Sequence, residues 1–218
     1  MLEFLYCDKD IIVCLKPPGV LSTDEPGGMP ALIRKQLGSE QEEVHTVHRL
    51  DRVVGGLMVF ARTQEASAEL GRQITDRSFD KLYLAVAHGC PKDAEGRFDD
   101  LLFRDTYKGM TYPVKRMRKG VRDAALEYSV LGEAEGLSLN RIHLLTGRTH
   151  QIRVQFSSRQ MPLVGDKKYG AAGDDCPIAL YSAYLSFHHP SNGDKLAFRS
   201  FPPETYPWNL FDMERTEL

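Results

Sequence analysis

One carboxylate lies between two guanidinium groups in the segment His48–Arg52, which reads HRLDR. Opposite charge nearby favours the ionised form of Asp51, and an ionised, partly desolvated aspartate can act as a nucleophile or base. The pair Gly55–Gly56 follows, directly before an apolar run, and allows a backbone or a ligand to approach closely. The segment alone fits a catalytic carboxylate and a surface loop with a structural ion pair equally well.

A second segment, Gly147–Arg153, reads GRTHQIR and combines a predicted helix start with several cationic donors. Arg148 and His150 suit a phosphate or a carboxylate, and a helix N-terminus adds free N–H groups. Arg153 is spaced to point toward the core side of the helix, where a desolvated arginine needs a carboxylate, and Asp51 is the attractive candidate. The alternative is an amphipathic surface helix whose arginines face water.

A third segment, Lys81–Ala85, reads KLYLA and is predicted to be a strand. Alternation along the strand places Lys81, Tyr83 and Ala85 on one face. Tyr83 can then form a pocket floor, stacking on a planar ligand and offering a hydroxyl. An interior strand tyrosine with no functional role is the simpler interpretation of this segment by itself.

These segments need elements to hold them. Strands are predicted over residues 11–15, 57–61, 82–87, 124–131, 137–145, 178–187 and 195–198. Helices are predicted over 31–37 and, after Thr63 as the N-cap, up to about Asp76, and residues 147–160 are predicted to form a turn that leads into a helix. Many strands with few helices, and no regular alternation of the two, predict an α+β fold with a largely antiparallel or mixed sheet. We expect a single domain spanning residues 1–218.

Charge is distributed unevenly along the chain. The 28 basic and 30 acidic residues give a net charge of −2, yet residues 104–168 alone carry +7. A basic middle in an acidic chain suits a polyanion, although a solvated surface is an equal alternative on charge alone. The sequence has neither a secretory signal nor an apolar run of the ~20 residues that cross a membrane, so we expect a cytoplasmic protein. The four cysteines are expected to be free, small buried apolar side chains.

Taken together and in order, five motifs resemble the RluA family of RNA pseudouridine synthases. They are DIIVCLKPPG at 10–19, HRLD at 48–51, KLYLA at 81–85, GRTHQIRV at 147–154 and LVGDKKYG at 163–170. The combination of HRLD with GRTHQIR is specific, whereas either half alone is modest evidence. One departure is that Val54-Gly55-Gly56 stands where relatives commonly carry Thr-Ser-Gly.

The resemblance implies an isomerase that converts uridine in ribosomal or transfer RNA to pseudouridine. It implies three catalytic residues: Asp51 as the carboxylate, Arg153 as its partner, and Tyr83, which packs on the uracil and helps to remove the C5 proton. Arg49 resembles the arginine that helps extrude the base. Predicted RNA contacts complete the set: His48, Arg148, His150 and the exposed basic segment Lys115, Arg116, Arg118 and Lys119. No cofactor, no metal, no obligate protein partner and no separate N-terminal RNA-binding domain are expected.

Two alternatives accompany this hypothesis. The first is a non-catalytic RNA-binding protein on the same scaffold, motivated by Val54-Gly55. The second is a hydrolase or glycosidase that pairs Asp51 with Asp99, Asp100 or Asp166. A metal enzyme is weaker still, because the adjacent His188 and His189 point to opposite faces of a strand and are interpreted as strand-end and surface residues.

Overall fold

The computed structural model describes residues 1–170 and 173–213. The strands are β1 Phe4–Cys7, β2 Ile11–Lys16, β3 His45–Thr46, β4 Gly55–Ala61, β5 Asp80–His88, β6 Glu95–Asp105, β7 Met110–Val114, β8 Val121–Ala134, β9 Leu137–Leu144, β10 Leu180–His188 and β11 Lys195–Arg199. The helices are α1 Met29–Leu37, α2 Gln64–Asp76 and α3 Gln151–Ser157, and a 3-10 turn covers Trp208–Leu210. The predicted α+β fold with a mixed, largely antiparallel sheet is confirmed.

The chain divides into two compact units, and the first comprises residues 1–81 and 181–202. Its strand order is β1-β2-β4-β10, with β3 beside β4 and β11 beside β10. β4 is buried along its whole length and pairs antiparallel with β2 and parallel with β10. Helix α2 begins where predicted, because the Thr63 hydroxyl accepts a hydrogen bond from the Ala66 N–H at 3.1 Å. Its Ala66 and Leu70 then enter a core with Val59 and Phe187.

The second unit comprises residues 82–180 and 203–218. Its strands lie in the order β5-β9-β8-β6-β7, all antiparallel to their neighbours. Helix α3 packs on one face of this sheet, where the Phe156 ring lies 5.3 Å from Phe98 and 6.5 Å from Tyr128. The face that carries these aromatic rings is therefore the buried one. The expectation of a single domain stays a prediction.

The basic segment at 115–120 is exposed, as predicted, but it is not a hairpin loop. β7 and β8 both pair with β6, on opposite edges, so the segment must cross β6 to join them. The guanidinium of Arg118 lies 5.0 Å from the ring of Phe103, which marks the crossing. Phe103 points away from the face on which α3 packs, since Leu102 contacts Val154 of that helix.

All four cysteines are free thiols, as predicted. Cys14 is buried, and its burial raises the pKa of the thiol to about 12. The prediction of burial is wrong for Cys7, which is exposed at the end of β1, while Cys90 and Cys176 are partly buried. None of the helices in the described ranges combines the length and the apolar character that a membrane crossing requires.

Candidate active site

Asp51 lies in a tight turn of the first unit that is fixed on both sides. The Val54 N–H donates to the Asp51 carbonyl at 2.9 Å, closing the turn. The preceding residue, Leu50, is held by one side chain, because the Ser22 hydroxyl donates to its carbonyl at 2.9 Å and accepts from its N–H at 3.1 Å. The half-buried Asp51 thus starts from an anchored backbone.

A buried lysine holds the other side of the turn. Lys16 is 1% exposed, and its Nζ donates to the carbonyls of Pro17 at 3.0 Å, Val20 at 2.7 Å and Arg52 at 3.0 Å. These three bonds match the three donors of an ammonium group. Burial lowers the pKa of Lys16 to about 8, and the charge of Asp51 opposes that shift. Lys16 was not predicted as a site residue, although a lysine that closes an apolar strand is a usable signal in the sequence.

The glycine pair after the turn allows another backbone segment to approach closely. The sequence predicted such an approach by either a backbone or a ligand. Gly56 has φ +116°, and a Cβ there would lie 2.3 Å from the Ser182 carbonyl oxygen of β10. A Cβ on Gly55 would meet Pro18 at 3.2 Å. Val54 is 2% exposed and belongs to the core.

The two residues before Leu50 differ in their environment. Arg49 is exposed, whereas His48 is buried. The His48 Nε2 accepts from the Val59 N–H at 3.3 Å, and its ring lies 5.7 Å from the ring of Phe79. Burial, helped by the charge of Lys81, lowers the pKa of His48 to about 3. His48 is therefore a neutral packing residue near neutral pH, and its burial argues against the predicted RNA contact.

Arg153 forms a buried, bidentate ion pair in the second unit. Its Nε and Nη2 donate to the two carboxylate oxygens of Asp166 at 2.8 and 2.7 Å. The two side chains are 6% and 0% exposed. The predicted position of Arg153 on the core side of α3 is confirmed. The pairing of Arg153 with Asp51 stays a prediction. Within the second unit, the partner of Arg153 is Asp166.

The surroundings of Asp166 keep it ionised. The N–H groups of Lys168 and Tyr169 donate to its Oδ1 at 3.0 and 3.1 Å. Burial opposes ionisation, but the hydrogen bonds and charge of Arg153 outweigh it and hold the pKa of Asp166 below its usual range. The ring of Tyr169 lies 5.2 Å from the Arg153 guanidinium, and its hydroxyl lies 2.7 Å from Nδ1 of His150. Arg153 is thus held by a carboxylate and covered by an aromatic ring.

Tyr83 lies on the same face of the second unit's sheet as α3. It stands opposite Ile142 of β9, which stands opposite Tyr128 of β8, and cross-strand partners share a face. Tyr128 is one of the rings against which Phe156 packs. Leu82 stands opposite His143 on the other face, so the predicted alternation is confirmed. Tyr83 is 5% exposed, so its side chain is buried.

The predicted turn into a helix after Gly147 is confirmed, although the helix is shorter than expected and ends at Ser157. Helix α3 begins at Gln151 after His150, whose φ is +56° and whose side chain makes no capping bond. The Gln151 side chain accepts from the Arg148 N–H at 3.0 Å, so this loop ties up a donor that we predicted for an anion. Arg148 itself is exposed, and its Nε donates to the Asp123 carbonyl at 2.8 Å.

The surroundings of the candidate aspartates argue against a hydrolase or glycosidase with paired carboxylates. Arginines neutralise all three candidates: Arg97 pairs with Asp99, Arg159 with Asp100 and Arg153 with Asp166. A general acid in such an enzyme needs a raised pKa, whereas the pKa of Asp166 is lowered.

A cluster of possible metal ligands lies elsewhere in the first unit. Asp8, Asp10 and His189 each bring one ligand atom within 4.8 Å of the others. The His189 Nε2 lies 2.8 Å from Asp8, and the Ser191 hydroxyl donates to Asp10 at 2.7 Å. His189 is 5% exposed, so its assignment to the surface was wrong. These two hydrogen bonds join the turn between β1 and β2 to the turn after β10, so the three side chains have a structural role in the fold.

Comparison with known proteins gives the class. Residues 10–158 match the RNA pseudouridylate synthase family. An uncharacterized RNA pseudouridine synthase of Aquifex aeolicus is 32% identical over 94% of this chain and 71% of its own length. The dual-specificity RNA pseudouridine synthase RluA of Salmonella typhimurium is 32% identical, covering 91% of this chain and 92% of its own. The chain belongs to the RNA pseudouridylate synthase family.

Solved structures agree on the fold. Human RNA pseudouridylate synthase domain containing 1 has a TM-score of 0.78 at 22% identity, covering 95% of this chain and 85% of its own. The protein is an RNA pseudouridine synthase, an isomerase that acts on RNA. The family therefore decides between an enzyme and a non-catalytic RNA-binding protein in favour of the enzyme.

Proposed function

We propose that Asp51 is the catalytic carboxylate of this pseudouridine synthase. The observation that carries the proposal is the anchoring of its turn by Lys16 and Ser22, which fixes the backbone on both sides of one half-buried carboxylate. Precise positioning of a reacting group is what catalysis demands of a scaffold. Three roles are chemically open to Asp51: attack at the sugar C1′, attack at the base C6 and removal of a sugar proton.

The reaction itself needs neither an oxidant nor an energy source. The N1–C1′ bond of uridine breaks, a C5–C1′ bond forms, and the proton lost from C5 is balanced by one gained at N1. We propose that Tyr83 packs on the uracil and that Arg153 pairs with Asp51 and keeps it ionised. The burial of both side chains suits a site that excludes water.

We propose further that arginine, lysine and histidine side chains outside the core bind the substrate RNA. The residues are the half-buried His150 and the exposed Arg49, Arg148 and basic loop at 115–119, and Arg49 also takes part in extruding the base. Extrusion costs a few kcal/mol, and stacking on Tyr83 returns about 1–3 kcal/mol, so phosphate contacts must supply the rest. A cytoplasmic location stays a prediction.

Ribosomal or transfer RNA is the proposed target. A relative in Pseudomonas aeruginosa that is 31% identical is named ribosomal large subunit pseudouridine synthase D, which supports ribosomal RNA. Mapping pseudouridines across total RNA from cells with and without this gene identifies the sites. Sites that disappear in both RNA classes would give this enzyme two substrates.

The decisive variant is Asp51→Asn, which keeps the size of the side chain and removes its charge. We expect turnover to fall at least about 10³-fold while RNA affinity is retained. Asp99→Asn is the matched control, since Asp99 is an exposed aspartate paired with a neighbouring arginine. Full activity of Asp51→Asn would remove Asp51 from the catalytic role.

A further inference from the structure

A fully exposed tyrosine marks the tip of the β6–β7 hairpin. Tyr107 is 99% exposed, and its neighbours Thr106 and Lys108 are exposed as well. An aromatic ring in water forgoes the burial that usually stabilises it. A lone ring among polar neighbours is also far too small for a protein–protein interface. The tip therefore suits a ligand that offers a single flat apolar surface.

The turn that carries Tyr107 is well braced. The Asp105 carboxylate accepts from the Lys108 N–H at 2.9 Å, closing the turn. The Gly109 carbonyl accepts from Nη1 of Arg104 at 2.8 Å and from Nζ of Lys168 at 3.0 Å. Arg104 and Lys168 thus bind the end of the turn that contains Lys108, and the carboxylate of Asp105 is engaged with the backbone. A braced backbone reduces the conformational entropy that the turn loses on binding.

Two hydrogen bonds attach the hairpin to the loops that hold Arg153. The Thr111 N–H donates to the Tyr169 hydroxyl at 2.7 Å, and the Thr111 hydroxyl donates to the Thr149 carbonyl at 3.0 Å. Tyr169 is the ring that covers the Arg153 guanidinium. The tip is therefore fixed relative to Arg153, unlike a mobile loop that reaches out independently.

We propose that Tyr107 stacks on an unpaired base of the substrate RNA, outside the target uridine, with Lys108 and Lys168 on the flanking phosphates. The inference rests on the proposed function, because it takes the substrate RNA as the ligand. Every base offers a π face, so the contact tolerates sequence and adds affinity rather than base specificity. A membrane surface is less suitable, since one ring with polar neighbours inserts little apolar area.

The first test compares Tyr107→Ala with Tyr107→Phe, using transcribed, unmodified ribosomal and transfer RNA. We expect Tyr107→Ala to weaken RNA binding about 5- to 150-fold and Tyr107→Phe to bind nearly as wild type. Unfolding curves should be unchanged because the side chain is exposed. Tyr206→Ala, at a 48% exposed tyrosine, is the control and should bind as wild type.

The second test uses Tyr107→Trp as a fluorescent reporter, with the wild-type protein as the blank for the buried Trp208. RNA should quench the new emission, whereas inorganic polyphosphate, which has charge but no bases, should not. Equal quenching by polyphosphate, quenching only by anionic vesicles, or unchanged RNA affinity of Tyr107→Ala would overturn the inference. The proposed function would still hold in that case if the wild type forms pseudouridine and Asp51→Asn does not.

Discussion

Removing Arg153 should destabilise the second unit strongly. Arg153→Ala deletes two hydrogen bonds to a carboxylate that is 0% exposed. Bonds to charged groups contribute about 1.5–3 kcal/mol each, which gives about 3–6 kcal/mol. Breaking buried ion pairs typically costs about 3–5 kcal/mol, and the two ranges agree. We therefore expect the free energy of unfolding to fall by about 4 kcal/mol at pH 7.

The pH dependence of this loss distinguishes a stranded charge from lost packing. In the wild type the pKa of Asp166 is lowered, so its contribution is present above the unfolded pKa of about 3.9 and is lost as the pH falls through the folded pKa. Without Arg153, burial opposes ionisation of Asp166 with much less to offset it. The deficit of the variant should therefore shrink between pH 7 and pH 4.5, where protonation relieves the buried charge.

Urea unfolding followed by the fluorescence of Trp208, which is buried in the same unit, measures the change. Arg97→Ala is a closely matched control, because Arg97 contacts Asp99 through the same two nitrogens, both at 2.8 Å, but on the surface. Its effect should be far smaller, since exposed pairs contribute little. A deficit for Arg153→Ala no larger than that of the control, or one independent of pH, would refute the reasoning.

Two further predictions concern the other charged groups. Because the pKa of Lys16 is lowered to about 8, the unfolded state binds more protons between pH 8 and about 10.4, and stability rises there. Between pH 7.5 and 9.5, the free energy of unfolding of the wild type, measured in urea, should rise by about 2 kcal/mol relative to that of Lys16→Met. If the two proteins show the same change in stability with pH, the prediction is contradicted. Neutralising the four cations at 115–119 should flatten the salt dependence of RNA binding, measured by titration, by up to about 0.7 log unit per log salt for each phosphate that is no longer neutralised. An unchanged slope would place the RNA elsewhere.

Local signals in the sequence were sufficient for the elements that carry them. A threonine before an amphipathic run gave the start of α2, and alternation gave the face of Tyr83. β6 was missed because its buried Phe98 and Leu102 are four residues apart among charges, a spacing that fits a helix better than a strand. Alternation and propensity do not reveal such a strand before its neighbours are known.

The candidate site was only partly accessible from the sequence. The family motifs point to the residues, but the partner of Arg153 within its unit depends on a loop 13 residues later along the chain. The crossing of the basic loop over β6 depends on strand order, which no local pattern encodes. The three carbonyl partners of Lys16 are likewise a product of the folded backbone.

That last arrangement has an evolutionary consequence. Lys16 donates to backbone carbonyl oxygens, so these hydrogen bonds do not depend on which side chains stand at positions 20 and 52. Arg52 and its neighbour Val53 are exposed, so mutation can redesign the outer rim of the turn while the acid beside it stays in register. With Asp51 in its proposed catalytic role, such a division would let an enzyme lineage acquire new RNA preferences without rebuilding its chemistry.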